Sequence, residues 1–270
     1  MKLITIILSA AIIFIFFGCD TVDNGGGPSY GKFESRTNFR IFESYINGQS
    51  GEPPQIYIWL SSEKIYPCMN YAYSVNVRAS SSAVDMFLNG IIEPNICLTA
   101  LGPATYTTRL GFTSGLHNLT FYSAVFEDKY VVLVTDSSIV ISGNPTENTK
   151  PISTLYWRYP KNSFVYLCGT LTEDSSLAYD FLDTLKTHLN IKEFKFPDTG
   201  GIPYPRSSSG YYYNMPAKYF TYSDESQFTK AGELLTDFTN KVLKDKSGAG
   251  ISLTNWLNVN YYSWMLRQTP

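Results

Sequence analysis

The chain is predicted to fold as an all-β sandwich followed by an α+β domain. Three observations carry that expectation. From Phe33 to about Gly143, apolar residues recur at every second position, the period of a strand with one buried face. Asn144 to Pro151 is a polar segment that ends in proline, composed as a boundary between domains. Beyond it, two stretches carry apolar residues at helical spacing between short apolar strands.

In the first half, Phe39 and Ile41 alternate with polar neighbours. Ile56, Ile58 and Leu60 face one side of the next strand, with Tyr57 and Trp59 on the other. Tyr71, Tyr73, Val75 and Val77 alternate with Ala72, Ser74 and Asn76. Val84 to Leu88 runs into Asn89-Gly90, a hairpin turn signal, and on to Ile91-Ile92. Thr105–Leu110, Leu119–Phe126, Tyr130–Thr135 and Ser138–Ile141 complete the set. Short strands with turn signals about every 8–12 residues and no convincing helix predict a β-sandwich over residues 33–143. By pattern it resembles an immunoglobulin-type module. The Cys-Trp-Cys order of antibody domains is absent, because Trp59 precedes Cys68 and Cys97.

Residues 144–151 are read as linker and 152–270 as the second domain. Phe164–Cys168 is an apolar strand. Asp174-Ser175-Ser176 can cap a helix whose face is Leu177, Ala178, Phe181, Leu182, Leu185 and Leu189. Ile191–Phe196 is a strand, and Pro197–Pro216 a long loop rich in Pro, Gly, Ser and Tyr. Ala217–Tyr222 leads into a second helix with Phe228, Ala231, Leu234, Leu235, Phe238 and Val242 on one face, and Ile251–Leu257 is the last strand. This βαβ-βαβ order predicts a ferredoxin-like domain, with two helices on one face of a four-stranded sheet and the other face open. Ala217 to Asp224 entering a helix makes this half loosely similar to the C-terminal domains of LytR-type proteins and to SPOR peptidoglycan-binding domains.

The N-terminus points to export. Lys2 precedes an uncharged run from Leu3 to Phe17. As a helix, those fifteen residues span about 22 Å, short for a membrane core of about 30 Å and suited to a signal peptide. Phe16-Phe17-Gly18-Cys19 resembles a bacterial lipobox. That resemblance implies a signal peptide over 1–18, lipidation of Cys19 and a Gly-rich flexible tether over 19–32. The other reading of the run is an uncleaved N-terminal membrane helix. Both place the remainder outside the cytoplasmic membrane, in the bacterial cell envelope.

Composition narrows the function. Hydrophobic residues make up 44% of the 270, enough for a substantial core, and charged residues only 16%. The formal net charge is -2 and no cluster of basic residues occurs, which argues against a nucleic-acid partner. No catalytic set is defensible. The two histidines, His117 and His188, have no motif around them, and neither Gly-x-Ser-x-Gly, Cys-x-x-Cys nor His-x-x-x-His occurs. No metal or other cofactor is expected. Glu173-Asp174 and Asp224-Glu225 lie at helix starts, where the helix dipole favours them. With Cys19 assigned to lipid, Cys68 and Cys97 can pair in an oxidising compartment, or they and Cys168 are small buried thiols.

The aromatic excess, 16% of residues with 21 Tyr, is the better lead. In the ferredoxin-like reading, Val165, Leu167, Phe194, Phe196, Ile251 and Leu253 face the helices. Tyr166, Tyr219 and Trp256 then share the open face with Cys168, Thr221 and Thr254. Such a face either stacks on sugar rings or docks the first domain, unless the strand register is wrong. The loop Gly200–Arg206 with Tyr211-Tyr212-Tyr213 is a second candidate site. The expectation is a lipid-anchored, non-catalytic module that binds envelope glycan or a partner protein. The alternatives are a hydrolase of envelope polymer and a purely structural lipoprotein.

Overall fold

The computed structural model describes residues 35–244, 246 and 248–265. The expected signal peptide, the lipidation expected at Cys19 and the expected tether all fall outside the described residues. None of the described helices is long and apolar enough to cross a membrane.

The first unit is one mixed sheet, not a pair of packed sheets. Its strands are β1 (Thr37–Ser44), β2 (Gln55–Tyr66), β3 (Ala72–Ala79), β4 (Ala83–Ile92), β5 (Gly102–Arg109), β6 (Gly115–Tyr122), β7 (Glu127–Val134), β8 (Ser138–Ser142), β9 (Thr149–Pro151) and β10 (Leu155–Trp157). They run in the order β10-β8-β7-β6-β4-β3-β5-β2-β1-β9. Parallel pairings of β3 with β5, β4 with β6 and β1 with β9 make the ladder continuous. The sheet curls into a half-barrel around its own apolar face. Phe39 of β1 meets Phe121 of β6 and Tyr130 of β7 at ring distances of 5.0 and 4.9 Å, although β1 and β6 are far apart in the strand order. The chain crosses directly from β9, on one edge, to β10, on the other. Ile152 donates its N–H to Phe39 O and Thr154 O accepts from Ile141 N–H, which stitches the two edges together.

This corrects the immunoglobulin-type expectation. Alternation marks which residues of a strand are buried but not whether two faces belong to two sheets or to one curled sheet. The Asn89-Gly90 signal is also corrected. β4 runs straight through it, and the register shifts opposite Ser74 and Val75. Gly90 at φ 146° absorbs a bulge, where a hairpin was expected. The 144–151 segment ends in β9, and β10 pairs with β8, so both strands belong to the first sheet.

The second unit comprises β11 (Ser163–Thr170), α1 (Leu177–His188), β12 (Ile191–Phe194), β13 (Tyr213–Asn214), β14 (Lys218–Tyr222), α2 (Glu225–Phe238), β15 (Gly250–Asn255) and β16 (Asn260–Tyr262). The helices form on the expected apolar faces, but the Ser176 side chain makes no capping bond at α1 and Asp174 pairs with Lys246 instead. Leu177, Ala178, Phe181, Leu182 and Leu185 of α1 and Phe228, Ala231, Leu235 and Phe238 of α2 are buried. Asp224 caps α2 by accepting the Ser226 N–H.

The sheet itself departs from the ferredoxin-like expectation. It is six-stranded and antiparallel, in the order β12-β14-β11-β15-β16 with β13 added against β11. β16 exists because the Asn255 side chain accepts N–H bonds from Leu257 and Val259, with Asn258 at φ 58°, turning the chain back on β15. Both faces are covered. Phe164, Tyr166, Cys168, Phe220, Ile251 and Leu253 pack under the helices. Val165, Tyr219 and Tyr204 form a separate small core on the other side, with Leu167, Phe194 and Phe196 against it.

Candidate functional site

The three residues expected to share an open face do not share one. Tyr166 is fully buried on the helix side and donates its hydroxyl to Ala178 O at 2.7 Å, in the first turn of α1. Its ring is apolar filling and its polar handle is satisfied inside. Trp256 packs against the same helix-side core and donates its indole N–H to Glu225 Oε1 at 2.9 Å. Tyr219 alone lies on the opposite face, where it is buried. β11 is one residue out of phase with the expectation, so Val165 and Leu167 turn away from the helices and Cys168 turns toward them; Phe194 and Phe196, also expected under the helices, lie on the opposite side.

That opposite face is closed by the long loop after β12. Three tyrosine hydroxyls seal it: Tyr204 donates to Ser163 O, Tyr159 to Pro203 O and Tyr219 to Pro205 O, at 2.9–3.0 Å. The loop is fastened to the first sheet at Gly200-Gly201. Gly201 donates to Leu155 O and accepts from Trp157 N–H. A Cβ on Gly201 would lie 2.6 Å from the Tyr156 ring, and one on Gly200, at φ 86°, would lie 2.9 Å from Leu155. Two glycines are therefore required for this close approach.

Of the carboxylates singled out in the sequence, Asp174, Asp224 and Glu225 are engaged. Asp174 pairs with Lys246 at 2.7 Å. Glu225 accepts from Tyr222, Trp256 and Asn255 side chains. His117 is buried, stacked on Phe112 and bonded to Thr113 O, while His188 is exposed on α1. No group of three or more metal-ligating side chains forms among the described residues. Cys68 and Cys97 are joined in a disulfide, with an S–S distance of 2.07 Å. Cys168 is a buried free thiol, and burial pushes its pKa up to about 11.

Tyr179, Tyr212 and Trp264 of the second unit are exposed singly; a group of half-buried aromatic rings beside a cation lies elsewhere, on the outer face of the first sheet. In the β1–β2 register Arg40 opposes Trp59 and Phe42 opposes Tyr57. In the β2–β5 register Trp59 opposes Thr107 and Tyr57 opposes Arg109. The Arg40 guanidinium lies 4.7 Å from the Phe42 ring centre and 5.0 Å from that of Trp59, within cation–π range. No described carboxylate forms an ion pair with it.

This platform opens onto a recess of about 230 Å³ lined by Arg40, Phe42, Glu43, Trp157, Ile202 and Pro203, among others. The recess exists because β9 pairs only with Thr37–Phe39, which leaves the second half of β1 without a neighbour on that side. Glu43 is held there by Arg158 Nε at 2.8 Å and by the Tyr159 N–H at 2.7 Å. Burial raises its pKa; the Arg158 charge offsets only part of that. Across Ile202 lies a second recess of about 260 Å³, lined by Phe194, Phe196, Tyr219, Lys195, Arg206, Lys218 and Glu193. Glu193 is bridged by Lys186 and Lys218, which lower its pKa.

Each recess thus holds one carboxylate, already paired, beside aromatic rings and cations. The Gly200–Arg206 loop separates the two, so that candidate is placed at the junction. Sequence reasoning missed the Arg40–Trp59 platform. The outward positions of β1 and β2 were readable as aromatic, but the pairing that stacks them was not.

Comparison of the chain with protein-family models, with curated proteins and with solved structures finds no match.

Proposed function

We propose that the protein is an exported, lipid-anchored component of a bacterial cell envelope whose role is to bind, not to transform, an envelope glycan. The observation that carries this reading is the platform of Arg40 stacked between Phe42 and Trp59, at the mouth of the β1–β10 recess. Flat aromatic rings suit the apolar faces of sugar rings. A guanidinium without an ion-pair partner suits the carboxylates of an acidic amino-sugar polymer. The lipobox-like Phe16-Phe17-Gly18-Cys19 supports the anchored location. Hydrolysis of the polymer has less support. A glycosidase needs two carboxyl groups roughly 5–10 Å apart across the bond it breaks, and each recess has a single, paired one.

The test is co-sedimentation of the full chain, in mild detergent, with purified peptidoglycan and with neutral insoluble polysaccharides. The reading expects binding to peptidoglycan that falls about tenfold in Trp59→Ala and in Arg40→Ala, a loss of roughly 1.4 kcal/mol. Binding by neither form, with cross-linking to an envelope protein at the same platform, would move the role to protein assembly.

A further inference from the structure

The end of the first sheet remote from both recesses carries an apolar tip. The last residues of β2 and β4 and the segments that follow them display Ile65, Met69, Ile92, Ile96, Leu98 and Leu101 to solvent, with Ile96 78% and Leu101 75% exposed. The tip is built to stay outside. The Cys68–Cys97 disulfide ties the two segments together. Asn70 clamps them further, donating to Ile96 O at 2.7 Å and accepting from Leu98 N–H at 3.2 Å. Residues 65–77 and 94–108 contain no charged side chain; Lys64 and Glu93 directly adjoin them, so a membrane contact here is with the headgroup layer, where both charges stay hydrated.

The position of the chain start names the occupant. Arg36 O accepts from Glu63 N–H and Ser35 Oγ accepts from Lys64 N–H. The described chain therefore begins one residue away from Ile65, at the tip. The other end of β1 leads to Tyr45 and Gly48, which bond to Trp256 and Asn258 of the second unit. An eight-residue strand, about 26 Å long, separates the two ends. A lipid on Cys19 would therefore be tethered through this end of the sheet and not through the end that meets the second unit.

We infer that the disulfide-clamped tip inserts into the lipid interface to which the N-terminus is anchored, setting the recesses to face away from the membrane. The inference rests on the lipid-anchored reading and adds a second, direct membrane contact.

The experiment uses the full chain in vesicles of phosphatidylethanolamine and phosphatidylglycerol, with flotation to read anchoring and hydrogen peroxide to read exposure. Met69 at 52% and Met265 at 72% are both accessible, which makes Met265 an internal reference. Met69 is expected to oxidise about fivefold more slowly than Met265 in vesicles, as for a side chain in the headgroup boundary, and at a similar rate in a Cys19→Ala chain free of both lipid and detergent. Ile96→Ser combined with Leu98→Ser, both surface positions, is expected to remove that protection while the protein still floats. Flotation with Met69 oxidised as fast as Met265 would overturn the tip contact and leave the anchor standing. A chain that does not float would overturn both. Protection of Met69 that persists without vesicles and fades on dilution would assign the tip to a second copy of the chain.

Discussion

The two sheets use aromatic residues in opposite ways. The second sheet has two faces, and its own chain covers both. Phe164, Tyr166 and Phe220 pack under α1 and α2, while Tyr204 and Tyr219 are sealed by the long loop. The first sheet curls around one face and leaves the other to solvent, and there Arg40, Phe42, Tyr57 and Trp59 stand in cross-strand register. Aromatic content alone therefore does not mark a binding surface. In the second sheet tyrosine is a core residue whose hydroxyl finds a carbonyl. In the first, Phe42 and Trp59 lie against the Arg40 guanidinium on a half-buried outer face, where a ligand can reach them.

The largest test of this contrast lies in the cores. Phe39→Ala and Phe220→Ala each remove a fully buried ring. Each is expected to cost about 3–5 kcal/mol in urea unfolding. A much smaller loss for either would mean that its sheet is not held by the core described. Replacing Cys68 and Cys97 together by serine opens a link across a sequence separation of 29. It is expected to cost about 2–4 kcal/mol, mostly through the unfolded chain, with the sheet otherwise intact. Gly201→Ala forces the loop off Tyr156, at about 1–3 kcal/mol. It should also raise oxidation of the Tyr204 region in footprinting, because the cover over the second sheet is lifted. Trp59→Ala, on the outer face, is expected to cost only about 1 kcal/mol while removing ligand binding. That pairing of small stability loss with large binding loss is the sharpest difference from the second sheet.

Charge effects are smaller and of two signs. Glu193 has its pKa lowered by Lys186 and Lys218, so its contribution is present above its ordinary value of 4.5 and is lost as pH falls through the lower folded value. Glu193→Gln should flatten that acid-side loss, by about 0.5 kcal/mol for a partly exposed pair. Glu43 has its pKa raised by burial, so its contribution runs the other way: fullest below 4.5 and lost as pH rises through the folded value.

The sequence made local structure readable where one residue type decides it. The buried faces of α1 and α2, apart from Val242, which is exposed beyond the end of α2, and the alternating core of β1, β2 and β4 follow from spacing; for the α2 cap the sequence offered Ser223 or Asp224, and the structure uses Asp224. Long-range choices were not readable. Whether Phe39 meets a second sheet or the far side of its own depends on the parallel β3–β5 and β4–β6 pairings, which leave no trace in either strand alone. Tyr166 and Val165 are both good strand residues, and the fold chooses between them because Ala178 O is placed to accept a hydroxyl. The recess beside Arg40 is a gap left by the short pairing of β9, and a gap has no sequence pattern.

The most direct measurement of the central claim is hydroxyl-radical footprinting of the full chain with and without soluble peptidoglycan fragments. The account predicts protection at Phe42, Tyr57, Trp59 and Trp157, with Tyr204 and Tyr219 unchanged. Protection confined to the second sheet, or none at the Arg40–Trp59 platform at saturating fragment, would contradict it.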